Sequence, residues 1–286
     1  MKKLSKKQKI TAVLLTLVFL IPFSLYCTYQ NNMLTVTEYE IADERLPESF
    51  DGFTVVQISD FHNPRSDFLK ESVLEEAKRL SPDIIVLTGD FIESRRPKPE
   101  ISLEFAEELV KIAPVYFAPG NHEARIPEIY DPFESELRRL GVRVLRNSSA
   151  KISIGGEEIN IIGIDDATFY GKEDKYISIA SAIDEVVYDE ELFTITLSHR
   201  PEVFSVYVEK EQDLVFSGHL HGGQFVIPYL GGLYMPTEGF FPEYWSGVHT
   251  ENSTTMVVSR GIGNSAFPIR INNRPELIYV TLRAQA

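Results

Sequence analysis

The chain has a single cysteine, Cys27. That excludes an internal disulfide framework and any zinc site built on thiolates. A bound metal would have to be held by His, Asp, Asn or Glu. Basic residues are scarce as well: 28 Lys and Arg stand against 42 Asp and Glu, a formal net charge of −14. Binding a nucleic-acid backbone depends on neutralising its phosphates with cations, so no nucleic-acid partner is expected. Fixed-period repeats, low-complexity tracts and a Pro/Gly/Ser-rich linker are missing, which argues for one globular domain behind the N-terminal segment. With 286 residues, 43% of them hydrophobic, the chain is too apolar to be disordered and long enough to bury a sizeable core.

Charge is absent from residues 10–29, and the flank of that gap is one-sided. Lys2, Lys3, Lys6, Lys7 and Lys9 precede it with no acid among them. Twenty residues at about 1.5 Å each make roughly 30 Å of helix, enough to cross a bilayer. Residues 1–9 read as a basic cytoplasmic tail and residues 10–29 as an uncleaved transmembrane signal-anchor. A cleaved signal peptide is the competing reading. Its apolar core is usually shorter, and Leu25 and Tyr26 spoil a small-x-small cleavage site before Cys27. Pro22 is compatible with a span. Lysines stay in the cytoplasm, so the expected location is the cell membrane, single-pass, with the rest of the chain outside. From Gln30 onward 23 basic and 42 acidic residues remain, a net −19.

Beyond the anchor, residues 34–41 alternate apolar and polar side chains, giving a short tether and first strand over residues 30–52. Apolar β-branched runs predict strands at 53–59, 84–88, 115–118 and 142–145, separated by helices over 66–80, 101–112 and 127–140. The second half is richer in strands, at 151–154, 159–164, 193–198, 214–217, 255–259 and 277–282, with a weaker helix over 177–187. Such a pattern predicts an α/β fold of two packed β-sheets flanked by helices. Residues 228–247 are rich in aromatics, readable as packing or as an apolar rim beside a site.

Of the six histidines, five fall at or just beyond the carboxyl ends of predicted strands. The blocks are Asp60-Phe61-His62, Gly89-Asp90, Gly120-Asn121-His122-Glu123, Ser198-His199 and Gly218-His219-Leu220-His221. A lone Asp after a strand is ordinarily a turn, and a lone His such as His249 a satisfied polar group. Five blocks together are different, because strand ends of one polarity line the crevice of α/β proteins. Asp-x-His and His-x-His place alternate side chains on one side of an extended segment, so each pair can grip one centre. Carboxylates suit hard divalent ions, and imidazole suits Zn, Mn, Fe and Ni. A carboxylate has two oxygens and can bridge two ions; Asp90 sits between the blocks. Two ions about 3.5–4 Å apart are a device for phosphoryl hydrolysis.

The order of these blocks resembles the calcineurin-like metallophosphoesterases over roughly residues 53–282. Residues 217–224 and 259–263 resemble a bacterial, membrane-associated branch. The resemblance implies a β-sandwich flanked by helices, with the catalytic domain at residues 53–286. It implies that Asp60, His62 and His221 hold one metal, that Asn121, His199 and His219 hold the other, and that Asp90 bridges them. His122 matches the histidine that contacts the substrate phosphate and helps protonate the leaving group. Two divalent ions (Mn, Zn, Fe or Ni) are implied as cofactors. The reaction implied is hydrolysis of a phosphate ester or pyrophosphate by in-line attack of metal-bound hydroxide. A phosphorylated small-molecule, lipid-linked or nucleotide-sugar substrate and a monomeric chain are expected. Asn63-Pro64-Arg65 departs from many relatives and leaves the substrate contacts of that loop open. A secreted nuclease is disfavoured by the net −19. A non-catalytic interaction module is disfavoured because all seven ligand positions and His122 are intact.

Overall fold

The computed structural model describes residues 5–64, 66–171, 174–235, 238–264 and 267–285; Lys2, Lys3 and Arg65, named above, lie outside them. The first helix, α1 (Lys6–Asn32), is longer than the uncharged stretch. Ser5 and Gln8 start it with a capping box, each side chain bonded to the other's backbone N–H, and Pro22 lies inside without ending it. Its side chains are exposed up to Tyr26; Cys27 and Gln30 are buried. Among the described residues it is the one helix long and apolar enough to cross a membrane.

The chain then builds β1 (Thr35–Asp43), β2 (Thr54–Ile58), α2 (Asp67–Leu80), β3 (Ile84–Thr88), α3 (Pro99–Leu109), β4 (Val115–Ala118), α4 (Asn121–Ala124), α5 (Pro127–Leu140) and β5 (Arg143–Val144). After β6 (Ser148–Ile154), β7 (Glu157–Ile164), α6 (Lys175–Glu185), β8 (Thr194–Ser198), α7 (Phe204–Glu209) and β9 (Leu214–Ser217) come two small hairpins. They are β10 (Val226–Ile227) with β11 (Gly231–Gly232), and β12 (Tyr234–Met235) with β13 (Gly239–Phe240). β14 (Gly247–Glu251), β15 (Thr254–Val258) and β16 (Glu276–Ala284) follow.

Sheet A runs β1-β16-β2-β3-β4-β5, and sheet B runs β14-β15-β9-β8-β7-β6. Within residues 30–52, β1 follows the end of α1 and pairs along its length in parallel with β16 at the edge of sheet A. Strand parity explains why the central strands read as unbroken apolar runs. Val55, Val86 and Tyr116 of sheet A pack with Ile161, Leu197 and Phe216 of sheet B between the sheets. Their neighbours Val56, Leu87 and Phe117 face α2, α3 and α5 on the outside of sheet A. Val215, Met256 and Val258 face α6 and α7 on the outside of sheet B. The result is helix, sheet, sheet, helix.

Several elements escaped the sequence reading. α7 has six residues, and β14 is a mostly polar edge strand that carries His249. The aromatic segment divides: Tyr244 packs edge-on against Phe204, while Tyr229, Phe240 and Phe241 are exposed.

Phe216 has no exposed surface and fills the space between the two sheets. Phe216→Ala should cost about 3–5 kcal/mol in denaturant unfolding of the detergent-solubilised chain, from lost burial and the cavity left behind. Val187→Ala, at an 88% exposed position, should change stability by less than about 0.5 kcal/mol.

Candidate metal centre

The strands that carry the five blocks are neighbours. β2, β3 and β4 are adjacent and parallel in sheet A, and β8 and β9 are adjacent and parallel in sheet B. Asp60, Asp90 and Asn121 follow the first three, and His199 and His219 the other two, so all five leave the sandwich at one end. The two sheets come close here. A Cβ added to Gly218 would lie 1.9 Å from Ser59 Oγ, so only glycine lets the β9 loop approach the β2 loop. That approach allows the His219 N–H to donate to Asp60 Oδ2 at 3.0 Å.

The blocks form two buried clusters, Asp60 with His62 and His221, and Asp90 with His199 and His219, and a third buried group adds Glu93 to His62 and His122. In the first, His62 Nε2 faces His221 Nε2 at 3.2 Å, and Asp60 Oδ1 lies 3.4 Å from His221 Nε2. In the second, His219 Nδ1 faces His199 Nε2 at 3.2 Å, and Asp90 Oδ2 lies 3.3 Å from His199 Nε2. The same Oδ2 is 3.6 Å from His62 Nε2. One oxygen of Asp90 therefore faces both clusters. Its other oxygen accepts the His122 backbone N–H at 2.8 Å, which fixes the carboxylate's rotation. One arm of the Asn121 amide lies 2.8 Å from His219 Nδ1, and the other 2.9 Å from Arg125 Nη1. A cation beside His219 selects the orientation with the amide oxygen inward. His122 Nε2 lies 3.8 Å from Asp90 Oδ2. His249 belongs to β14, where its Nε2 lies 3.1 Å from Ser246 O.

This donor set fits a pair of cations. Asp60 Oδ1 is buried without a hydrogen bond, and twice an imidazole nitrogen faces another at 3.2 Å. Positive charge between those atoms satisfies each of them, and mixed nitrogen and oxygen donors suit borderline divalent ions. The backbone is strained to the same end. Asp60 (φ 51°), His62 (φ 50°), Asp90 (φ 52°), His219 (φ 69°) and His221 (φ 45°) all adopt the left-handed conformation. For non-glycine residues each costs on the order of 1–3 kcal/mol and persists only where its surroundings impose it.

Electrostatics follow from burying acids among imidazoles. Burial would raise the Asp60 and Asp90 carboxyls, but His221 and His62 around Asp60, and His199 and His122 around Asp90, hold both below the usual range. Burial favours neutral His62 and His199 as well. Asp60, Glu93 and Asp90 outweigh this at His62 and push it up to about 9; Asp90 does so at His199, up to about 10. Burial with Arg200 close by takes His219 down to about 4, and burial with His62 and Arg270 takes His221 down to about 3.

Residues not singled out from the sequence hold these loops in place. Glu123 accepts the backbone N–H groups of Asp90, Ile92 and Gly120 at 2.8–2.9 Å, tying the β3 loop to the β4 loop. Glu93 bridges two rings, with Oε2 3.3 Å from His62 Nδ1 and Oε1 3.2 Å from His122 Nδ1. The motif at residues 259–263 is a strap beneath Asp60. The Gly263 N–H donates to Asp60 O at 2.7 Å, and a Cβ at Gly263 would lie 2.1 Å from Phe61 O. Arg270, fully buried, donates to the carbonyls of Arg260, Gly261 and Gly263 and pins the strap. Beside His219, Arg200 is held by Asp166 and Glu202. Glu93 was within reach of sequence reasoning, since it lies three residues beyond Asp90 in one loop. Asp166 follows an apolar strand as Asp60 and Asp90 do. Arg270 gave no such signal.

A family model described as calcineurin-like phosphoesterase matches residues 53–223. The chain belongs to the calcineurin-like phosphoesterase family. This family comprises hydrolases acting on phosphoric ester bonds, which use two divalent metal ions. Within it, the chain is 29% identical over 274 residues to the uncharacterized metallophosphoesterase YkuE of Bacillus subtilis (strain 168), covering 91% of this chain and 89% of that one. It is 26% identical to the phosphodiesterase YaeI of Escherichia coli (strain K12), covering 80% and 82%. A Danio rerio relative, named a transmembrane protein with metallophosphoesterase domain, is 29% identical over 87% of this chain and 57% of its own length. The crystal structure of TT1561 of Thermus thermophilus shares the fold, with TM-score 0.52 at 14% identity over 74% of this chain and 90% of that one.

Two predictions arise here. Asp90→Asn should lose metal as well as activity, because a neutral amide is a poor bridge. Glu93→Gln should keep two ions per chain and lose roughly 10–100-fold in turnover, the usual effect of a group that orients a ligand or acid from behind. Elemental analysis with kinetics separates the two; two bound ions in Asp90→Asn would exclude the bridge. The second concerns protons. His62 and His199, raised to about 9 and about 10, must be deprotonated to bind a cation. Metal uptake at neutral pH should therefore release protons, and affinity should rise as pH approaches those values. Calorimetry of Mn²⁺ uptake in two buffers of different ionisation enthalpy reads this directly; equal heats would contradict it.

Proposed function

We propose that the chain hydrolyses a phosphate ester or pyrophosphate bond on an envelope substrate, lipid-linked or nucleotide-sugar in kind. Asp60, His62 and His221 would hold one ion and Asn121, His199 and His219 a second, with Asp90 placed to bridge the two. The position of Asp90 Oδ2, 3.3 Å from His199 Nε2 and 3.6 Å from His62 Nε2, carries this reading. Bound divalent ions supply the positive charge that neutralises phosphate oxygens and activates water at neutral pH.

The rest falls to the protein's own groups. The Ser94 N–H donates to His122 Nδ1 at 3.0 Å. Nε2 is the nitrogen turned towards Asp90 and the clusters, and as an N–H it is placed to bind a phosphoryl oxygen. To act as an acid the ring must carry protons on both nitrogens; it then gives the Nε2 proton to the departing oxygen and is left neutral. Glu93 Oε1, 3.2 Å from Nδ1, is placed to hold the other proton. Asp90 is fixed by the His122 N–H, so acid and bridge move as a unit.

For location, the reading is a single pass by α1, with the lysine-rich start in the cytoplasm and the catalytic domain, residues 53–286, outside as a monomer. The exposed apolar length of α1 and the acidic character of the remainder support it. They also weigh against a nuclease.

A panel of aryl phosphate monoester, aryl diester, nucleotide sugar and prenyl pyrophosphate, tested with Mn²⁺, should show turnover of a nucleotide sugar or prenyl pyrophosphate. Inertness of the two-metal protein towards all four would refute the proposal. His122→Ala should retain both ions and lose roughly 10²–10⁴-fold in rate, more for an alkyl than for a nitrophenyl ester. An equal loss for both esters would leave His122 with an orienting role alone.

A further inference from the structure

Outside α1, large exposed apolar side chains such as Phe68, Ile177 and Val187 are scattered, but five belong to two small hairpins and the loop beside them. Tyr229, Leu230, Phe240 and Phe241 sit on the two small hairpins, and Phe267 lies on the loop that adjoins them. Phe225 at the base of the first hairpin packs its ring 6.2 Å from that of Phe267. Tyr229 is fully exposed, at 107%. It occupies a tight turn closed by the Leu230 N–H to Ile227 O, directly after Pro228, with φ 68°. Glycine or asparagine is usual at that turn position. Phe241, 51% exposed, is also left-handed, at φ 55°. Two bulky aromatics thus hold conformations that disfavour them and present apolar surface to the outside. Folding alone gives no reason for either.

The position of α1 supplies a reason. The helix end is bonded to the same surface. Tyr26 Oη donates to Asn272 Oδ1 at 2.7 Å and accepts from the Asn272 N–H. The Asn272 side chain donates in turn to Val226 O, and the Val226 N–H donates to Ile271 O, at the root of the first hairpin. Asn31 bonds to Pro268 O and to the Arg270 N–H, and Gln30 accepts the Asn273 N–H. A span that begins near Ile10 covers about 30 Å by residue 29, so Tyr26 and its contacts lie within one helical turn of its outer boundary. Tyr229 is three residues beyond Val226, about 10 Å along an extended strand. The hairpin tip is therefore within reach of that boundary, the depth at which aromatic side chains are enriched in membrane proteins.

We infer that the two hairpins, through Tyr229, Leu230, Phe240, Phe241 and Phe267, are a second membrane contact that lies in the interface of the bilayer crossed by α1. The inference rests on the anchor reading given above and goes beyond it. A single helix leaves a domain free to tilt; two contacts set its orientation. Asn273, adjacent to the Tyr26 partner, donates to His221 O at 2.7 Å and to Gln224 O at 3.2 Å. The contact would hold the His221 side of the metal centre at the membrane surface, where a lipid-borne phosphate is presented.

The lone cysteine makes a direct test practical. In a Cys27→Ser background, the full chain carries one new cysteine at a time: Val18→Cys, Tyr229→Cys, Phe240→Cys or Val187→Cys. Each is labelled with an environment-sensitive fluorophore and reconstituted into vesicles of equal parts phosphatidylcholine and phosphatidylglycerol. Quenchers are lipids with a nitroxide near the headgroup or deep in the acyl chain. Labels at 229 and 240 should shift to the blue and be quenched by the shallow nitroxide more than by the deep one. Position 18 should respond to the deep one, and position 187, near the β6 edge on the far side of sheet B from β14, to neither. Quenching at 18 with 229 and 240 behaving like 187 would overturn the second contact and leave the anchor standing. No quenching at 18 would overturn the anchor and this inference with it.

Discussion

Everything in this chain depends on burying two carboxylates, Asp60 and Asp90, among four imidazoles where water scarcely reaches. Among the described residues neither acid forms an ion pair with a lysine or arginine. Their charge is met by His62 and His199, and two pairs of ring nitrogens are forced within 3.2 Å of each other. An arrangement of that kind is costly for a protein alone and favourable with divalent ions present. The rest of the molecule is arranged to enforce it. Parallel strands from two sheets deliver the loops to one end, Glu123 locks two of them together, and Arg270 with its strap keeps Asp60 from relaxing. Five residues in left-handed conformations show how much of the packing energy is spent on this geometry.

Support of this kind also explains why the site is rigid in some directions and adjustable in others. Asp90 is held through its carboxylate, through its own N–H and through the loop behind it, and has little freedom to rotate. His122 is held at Nδ1, where the Ser94 N–H and Glu93 Oε1 both approach. Asn121 is the adjustable member, since its amide orientation depends on what occupies the neighbouring point.

How much of this was legible beforehand depended on whether the information was local. Strands such as Ile84–Thr88 and Leu214–Ser217 were readable because they are buried on both faces and so are continuously apolar. The strand-end blocks were readable because the acids, amides and histidines recur in one structural context. The short α7, the polar edge strand β14 and the two hairpins lacked a period long enough to detect. Arg270 acts through carbonyls of the strap, and nothing in its own neighbourhood marks it out, whereas Glu93 and Arg200 stand close in sequence to Asp90 and His199. The aromatic segment held two signals at once: Tyr244 belongs to the packing and Tyr229 does not, yet their composition is the same.

The pairing of β1 with β16 has a consequence for how the molecule is made. The last strand lies between the first two in sheet A, parallel to one and antiparallel to the other. That sheet cannot close until residues 276–284 have left the ribosome. Contacts between the two ends of a chain are the slowest to form, because the whole intervening loop must be ordered first. If α1 enters the bilayer as it is synthesised, the open sheet waits beside the membrane with β1 and β2 unpaired at the gap that β16 will fill. The half-built domain then exposes strand edges of the kind that recruit other chains. Tethering the nascent domain to a surface keeps copies of it apart during that interval.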